Sequence, residues 1–139
     1  MRQERFYVVS DFKKLHVWQR AHALSLTVDR VSREIREPRY ASLRSQIFRA
    51  AASIPANIAE GRRQESEKEL ARYLRYALNS TSELEYHTIL ARDTKTIPED
   101  ACISLLDQTI TVRKMLYALL KRLASDGSNR KALETHGSA

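Results

Sequence analysis

The chain has 139 residues, 42% of them hydrophobic and 29% charged, which fits one globular domain built around one core. Only three glycines and three prolines occur, so an all-β fold with frequent tight turns is disfavoured. The formal net charge of +7 raises the affinity for polyanions such as nucleic acid, although it also suits a solvated surface.

The first predicted helix spans residues 11–37 and follows an N-terminal extension of residues 1–10. Its apolar residues recur at alternating spacings of four and three, which places them on one helix face. These residues are Val17, Ala21, Leu24, Val28, Val31 and Ile35. Asp11 is expected to cap the start of the helix with its carboxylate. Pro38 is expected to end it, since the residue before a proline avoids helical geometry.

The second predicted helix spans residues 42–60 and carries a proline within its apolar pattern. One face holds Leu43, Ile47, Ala50, Ile54 and Ile58. Pro55 has no amide proton, so it frees the carbonyl of Ala51 and predicts a kink. Ser53 or Asn57 is expected to compensate locally through its side chain.

The boundary between the second and third helices carries recognisable end signals. Gly61 is expected to follow the second helix as a residue that tolerates left-handed geometry. The third predicted helix, residues 66–92, begins with Ser66 and Glu69 at the spacing of a capping box.

The fourth predicted helix begins near residue 98, with Thr96 and Glu99 as a second capping box. Besides its core stripe it carries a second apolar stripe, which indicates burial against another subunit. This second stripe is Leu106, Ile110, Tyr117 and Leu120. Residues 125–139 are polar and aperiodic and are expected to form a frayed tail. Because the predicted links are short, we expect an all-α, antiparallel up-down four-helix bundle over residues 11–124.

Motifs for catalysis and metal binding are missing from the sequence. A di-iron bundle needs Glu-x-x-His on two helices, and none of the four histidines belongs to such a motif. Glu83 and His87 stand four residues apart, which is weak on its own. The sequence contains neither Gly-x-Ser-x-Gly nor a glycine-rich phosphate loop. Cys102 has no framing histidine and is expected to be structural. We therefore expect no enzyme, no metal and no cofactor.

The expected location is the cytoplasm. A single cysteine suits a reducing compartment, because no intrachain disulfide can form. No apolar stretch near the start is long enough for a signal peptide, and no run of about 20 apolar residues predicts a membrane span.

Polar residues interrupt the apolar pattern of the second helix and face the third. They are Gln46, Ser53, Asn57 and Glu60, and Glu83 on the third helix is expected to face them. One interpretation is a polar network that satisfies the backbone near the proline and fixes the helix register. The other is a ligand or partner site, with Asn57, Glu60 and Glu83 lining an open pocket.

Arginines surround the second helix and the start of the third, and nearly all the excess positive charge falls in residues 1–65. The candidate nucleic-acid-binding residues are Arg39, Arg44, Arg49, Arg62, Arg63, Arg72 and Arg75. Tyrosines between the last two favour phosphate contacts combined with base stacking. The leading hypothesis is therefore a bundle that binds RNA or other nucleic acid. The alternative is a protein–protein interaction scaffold whose charge serves solubility.

Three stretches also resemble a known family. They are Leu-His-Val-Trp-Gln-Arg-Ala at residues 15–21, Ser-Ile-Pro-Ala-Asn-Ile-Ala-Glu-Gly at residues 53–61, and Ser-Glu-Leu-Glu at residues 82–85. In these the chain resembles the four-helix bundle proteins encoded in intervening sequences of bacterial 23S rRNA genes. The resemblance implies an up-down bundle that assembles as a ring, with a homopentamer as the expected state.

Overall fold

The computed structural model describes residues 11–136, which contain four α-helices and no strand. The helices are α1 (His16–Ser32), α2 (Ala41–Arg62), α3 (Glu67–Asp93) and α4 (Glu99–His136). Two short 3-10 turns, Phe12–Lys14 and Pro38–Tyr40, precede α1 and α2. The predicted N-terminal extension, residues 1–10, lies outside the described residues.

The four helices of the chain surround one core. Each helix contacts the next in chain order, and α4 closes the ring against α1, while the two diagonal pairs make no contact within the described residues. Fully buried side chains come from all four predicted apolar faces. They include Leu24, Val28, Ile47, Ile54, Ile58, Leu74, Leu84, Leu105, Val112 and Leu116. The predicted all-α four-helix bundle is confirmed.

Contacts between consecutive helices favour the predicted antiparallel, up-down order. For each of two helix pairs, the contact that lies later along the first helix lies earlier along the second. The pairs are Ser25–Ala51 and Ile35–Arg44 for α1 and α2, and Thr81–Arg113 and Thr88–Cys102 for α3 and α4.

Pro55 lies inside α2, and the carbonyl that it releases is satisfied from another helix. The hydroxyl of Ser25, on α1, lies 3.0 Å from the carbonyl oxygen of Ala51 and 3.1 Å from that of Ala21, so the two carbonyls share its one proton. Ser25 and Ala51 are both buried, so no solvent is available to replace this bond. The interaction therefore joins α1 to α2 at the proline.

The predicted local compensation at this proline was wrong. Ser53 donates to the carbonyl of Ala50 at 2.8 Å, and the Asn57 amide donates to the carbonyl of Ser53 at 2.8 Å. Both bonds lie within α2, and neither reaches Ala51. The Ser53 and Asn57 side chains bond to carbonyls three and four residues earlier in α2, whereas Ser25 reaches its acceptor across the interface with α1.

The sequence predicted that Gly61 follows α2 in left-handed geometry, and this prediction was wrong. No described glycine has a positive φ, and α2 continues to Arg62. A Cβ at Gly61 would lie 2.9 Å from the Cβ of Tyr73 and 3.1 Å from Cδ1 of Leu70. The glycine is therefore needed because the backbones of α2 and α3 approach closely there.

The start signals of the helices are right in one case out of three. The hydroxyl of Ser66 accepts from the amide of Glu69 at 3.1 Å, which confirms the cap of α3. Asp11 makes no capping bond with its side chain and precedes the 3-10 turn, while α1 starts after Leu15. The Thr96 hydroxyl donates backward to the carbonyl of Ala91 at 3.0 Å, so it serves the end of α3 instead of the start of α4.

The ends of α1 and α3 follow different rules. α1 stops at Ser32, ahead of the predicted limit at residue 37, and Glu37 before Pro38 is extended, as the proline requires. After α3, Lys95 adopts a φ of 58°, and the Thr96 amide donates to the carbonyl of Ala91 at 2.9 Å. This is a Schellman motif with lysine at the position where glycine is usual.

The polar segment after Leu123 is helical, not frayed, because α4 continues to His136. The preceding turns of α4 supply the helix nucleus, so extension costs little when the sequence has good helix formers. Residues 131–134, Lys-Ala-Leu-Glu, are such formers, whereas residues 125–129, Ser-Asp-Gly-Ser-Asn, are not. Leu133 is 73% exposed, so the helix here extends beyond the packed core.

We predict opposite effects for alanine at two glycines. Gly61→Ala should lower the free energy of unfolding by about 1 kcal/mol or more, since forcing a methyl group against Tyr73 costs about 1–3 kcal/mol and exceeds the gain in helix propensity. Gly127→Ala is the control, because a Cβ there meets nothing within 4 Å. It should increase helicity without loss of stability. Urea unfolding followed by circular dichroism tests both, and equal effects would contradict close packing at Gly61.

Candidate nucleic-acid interface and polar groove

The charge of the bundle is distributed unevenly along its long axis. Ser25, Ala51, Thr81 and Arg113 mark a middle level, since the first two and the last two are in contact. We call the half on the side of the α2–α3 turn the basic half, which comprises residues 11–24, 52–80 and 114–124. It holds eleven Lys and Arg against five Asp and Glu.

The opposite half is neutral overall. It comprises residues 25–51 and 81–113, which hold nine Lys and Arg against nine Asp and Glu. We call it the balanced half. The whole excess positive charge of residues 11–124 therefore lies at one end of the bundle. Linear counting along the chain missed this segregation, because each half combines pieces of all four helices.

The seven predicted arginines do not form one surface. The basic half contains Arg62, Arg63, Arg72 and Arg75, which are all exposed at the end of α2 and the start of α3. The balanced half contains Arg39, Arg44 and Arg49. These two groups lie on opposite sides of the middle level.

Arg72 is held by an acidic residue and two rings. It makes a 2.7 Å ion pair with Glu69, and its guanidinium carbon lies 5.3 Å from the ring centre of Tyr73 and 5.8 Å from that of Tyr76. The Glu69 carboxylate is the main reason that the pKa of Arg72 is raised above its ordinary value. Tyr76 remains 41% exposed beside it. Arginine and tyrosine thus form a preorganised surface suited to stacking.

The other arginines of the basic half differ in their partners. Arg63 reaches Glu60 at 3.8 Å, which is a long, exposed ion pair. Arg62 and Arg75 make no ion pair within the described part of the chain. Their charges are therefore available to an incoming anion.

The arginines near the α1–α2 turn have local structural contacts. Arg44 donates to the carbonyl of Ile35 at 3.2 Å, across the turn between the helices. The Arg39 guanidinium lies 4.8 Å from the ring centre of Tyr40. The bond from Arg44 satisfies a backbone carbonyl at the turn, which gives it a structural role.

The predicted polar network is not joined across the two helices. Gln46, Ser53, Asn57 and Glu60 each make hydrogen bonds within α2 or to the residues that follow it. The Glu83 side chain, on α3, makes no hydrogen bond or ion pair to any residue whose side chain the structure describes.

Part of this polar set lines an open groove between α2 and α3. The groove has a volume of about 560 Å³. Its polar lining consists of Gln46, Arg49, Ser53, Ser80, Glu83 and His87. Asn57 and Glu60 do not line it, so the structure brings together Gln46, Ser53 and Glu83 from the predicted network. Arg49 and His87 belong to it as well.

An apolar stripe on α4 faces away from the bundle. Ile103, Ile110 and Tyr117 are 55%, 40% and 58% exposed, and they recur every seven residues. Leu106 and Leu120, at intermediate positions, are half-buried. We call these five residues the outer stripe. It matches the predicted second stripe with Ile103 added, and a seven-residue repeat is the pattern of a helix-packing seam.

Cys102 lies in the core, away from solvent. Cys102 is fully buried, its thiol lies 3.8 Å from the carbonyl of Thr88, and burial raises its pKa, which keeps the thiol protonated at neutral pH. No group of three or more potential metal-ligating residues occurs among the residues whose side chains the structure describes. None of the helices in that range is long and apolar enough to cross a membrane.

A protein family and a solved structure are similar to this chain. The family model described as 23S rRNA-intervening sequence protein matches residues 13–118, which is most of the chain. No curated protein sequence matches significantly. The crystal structure of a protein with unknown function from the S23 ribosomal protein family of Bacteroides thetaiotaomicron VPI-5482, at 1.70 Å resolution, superposes with a TM-score of 0.72. It is 24% identical in sequence, and the match covers 76% of this chain and 98% of that one.

Proposed function

This chain belongs to the family of 23S rRNA-intervening sequence proteins, and we propose that it is a non-catalytic, homo-oligomeric scaffold that binds RNA in the cytoplasm. The observation that carries the proposal is the segregation of charge, since the basic half holds the whole excess of positive charge in residues 11–124. A localised excess of cations attracts a polyanion more strongly than the same charge spread evenly.

The contacts would be made to phosphates, with some stacking of bases. Arg62 and Arg75 are exposed and have no ionic partner within the described chain, so phosphates would meet unneutralised cations. Arg72 and Tyr76 offer a face on which an unpaired base can stack. The proposed ligand is therefore RNA with single-stranded segments, and Arg39, Arg44 and Arg49 lie outside the proposed site.

Assembly would multiply this charge. The outer stripe of α4 leaves three large apolar side chains exposed in one row, and a second copy of the chain would cover them with the same kind of surface. In a ring, the basic halves of several subunits would act on one RNA chain, and their weak individual contacts would combine. We expect a pentamer on the strength of the family resemblance.

We propose no catalytic role for the bundle. The thiol of Cys102 is buried and protonated, which does not suit a nucleophile. The alternative is a protein–protein scaffold without RNA binding, and the outer stripe supports it equally well. The two hypotheses differ in whether the charge of the basic half has a ligand.

RNA binding should depend steeply on salt and on the basic half. We predict that single-stranded RNA binds the wild-type protein at low salt, and that replacing Arg62 and Arg75 together by Gln weakens binding and reduces the slope of log K against log salt by about 1–2. Replacing Arg36 and Arg39 by Gln removes the same charge from the balanced half and should have little effect. Fluorescence anisotropy across a salt series measures both.

Three results of that series would contradict the RNA proposal. They are no binding by the wild-type protein at low salt, affinity that does not change with salt, and equal losses in the two double variants. The first of these would favour the protein–protein scaffold.

The oligomer should depend on the outer stripe. We predict that the wild-type protein elutes as a particle of several 16.0 kDa subunits, and that Ile110→Glu shifts it toward a single subunit because a carboxylate would be buried in the seam. Thr111→Glu adds the same charge at the neighbouring exposed position and should leave the particle unchanged. Light scattering behind size exclusion measures the mass. A wild-type monomer at micromolar concentration would contradict the proposed assembly.

A further inference from the structure

The groove between α2 and α3 is lined by polar side chains near the middle level of the bundle, and Arg62, Arg72 and Arg75 are not among them. Its volume of about 560 Å³ lies within the range of roughly 300–1,000 Å³ that is typical of small-molecule sites. Ser80 is buried, and Arg49 and Glu83 are exposed at the opposite helices. A groove of this size and polarity needs a physical explanation.

Two opposite charges line the groove without neutralising each other. Arg49 of α2 and Glu83 of α3 both belong to the lining, yet in the described range neither makes an ion pair or a hydrogen bond. An arginine presents a planar fork of donors that matches a carboxylate. Glu83 presents only acceptors, which match an ammonium group. The groove thus offers separate places for a negative and a positive group.

The two serines of the groove present acceptors. The hydroxyl of Ser53 donates to the carbonyl of Ala50 at 2.8 Å, and that of Ser80 donates to the carbonyl of Tyr76 at 3.1 Å. A hydroxyl has one proton, so each serine has used its donor and keeps an oxygen that can accept. Both oxygens therefore suit N–H donors of a ligand.

Gln46 and His87 complete the set. The Gln46 amide nitrogen donates to Ser42 Oγ at 3.2 Å, which leaves its carbonyl oxygen as an acceptor. Nδ1 of His87 is buried and has no hydrogen-bond partner. A proton on Nδ1 would be a buried unsatisfied donor, so the tautomer with its proton on Nε2 is favoured. The imidazole then adds a second donor beside Arg49.

We propose that this groove binds a small zwitterion of the amino-acid type. Its carboxylate would pair with Arg49, and its ammonium group would face Glu83 and the oxygens of the two serines. The ligand balances the two unpaired charges, which a simple anion or a simple amine would not do. The groove lies at the middle level, with Ser53 and Ser80 on the side of the basic half and the other lining residues on the side of the balanced half. The proposed binding does not depend on RNA.

The test uses the full-length protein and a mixture of the twenty standard L-amino acids at millimolar concentration. Saturation-transfer NMR should identify one or a few that bind, and calorimetry then gives their affinity. Arg49→Gln and Glu83→Gln should each weaken binding by about tenfold or more, because each removes a charged partner of the ligand. Arg30→Gln, an exposed charge change on α1, should leave the affinity unchanged. All three variants alter exposed side chains, and circular dichroism checks that they are folded.

Succinate and putrescine, which carry charges of one sign only, decide the chemical class. We expect both to bind at least tenfold more weakly than the responding amino acid. The proposal is overturned if no amino acid binds at millimolar concentration, if succinate or putrescine binds as tightly, or if the Arg49 and Glu83 variants keep wild-type affinity. These outcomes are distinguishable from those of the RNA titrations, which test Arg62 and Arg75, two residues that do not line the groove.

Discussion

Pro55 leaves the carbonyl of Ala51 without its helical donor inside the core, and the hydroxyl of Ser25 supplies a hydrogen bond from the neighbouring helix at 3.0 Å. An unsatisfied buried carbonyl costs about 1–3 kcal/mol, which is a large share of the stability of a small domain. A shift of α1 along α2 by one turn would move the hydroxyl away from its acceptor. Pro55 and Ser25 therefore fix the register of α1 against α2, because the freed carbonyl needs its donor at one level.

The positions of the groove and of the charged residues along the bundle axis follow from this register of α1 against α2. Gly61 lets α3 approach α2 near Tyr73, and the polar groove lies between the same two helices, nearer Glu83. With three helices placed, the arginines at the end of α2 and the start of α3 fall in the same half as the basic residues of α1 and α4. The localised charge is thus a consequence of how the helices are aligned, and the outer stripe of α4 remains for assembly.

Periodicity in the sequence was enough for the helices and their buried faces, because each face depends only on spacing within one segment. Interactions between segments were not accessible in this way. Ser25 looks like an ordinary polar residue in its own helix, and Gly61 looks like a helix end because its close neighbour Tyr73 lies beyond the turn. The same holds for the site. Arg49 was assigned to a basic surface, whereas it lines the groove with Glu83, a placement that only the packing of two helices reveals.

A double-mutant cycle on Ser25 and Pro55 tests most directly whether these two residues fix the register of α1 against α2. With Pro55 present, Ser25→Ala should lower the free energy of unfolding by about 1–3 kcal/mol, since the carbonyl of Ala51 loses its donor. With Pro55→Ala, the amide of residue 55 can donate to that carbonyl, so Ser25→Ala should cost little. We predict a coupling energy of about 1 kcal/mol or more from urea unfolding. Additive effects would mean that Ser25 does not compensate for the proline and that the register of the bundle is set elsewhere.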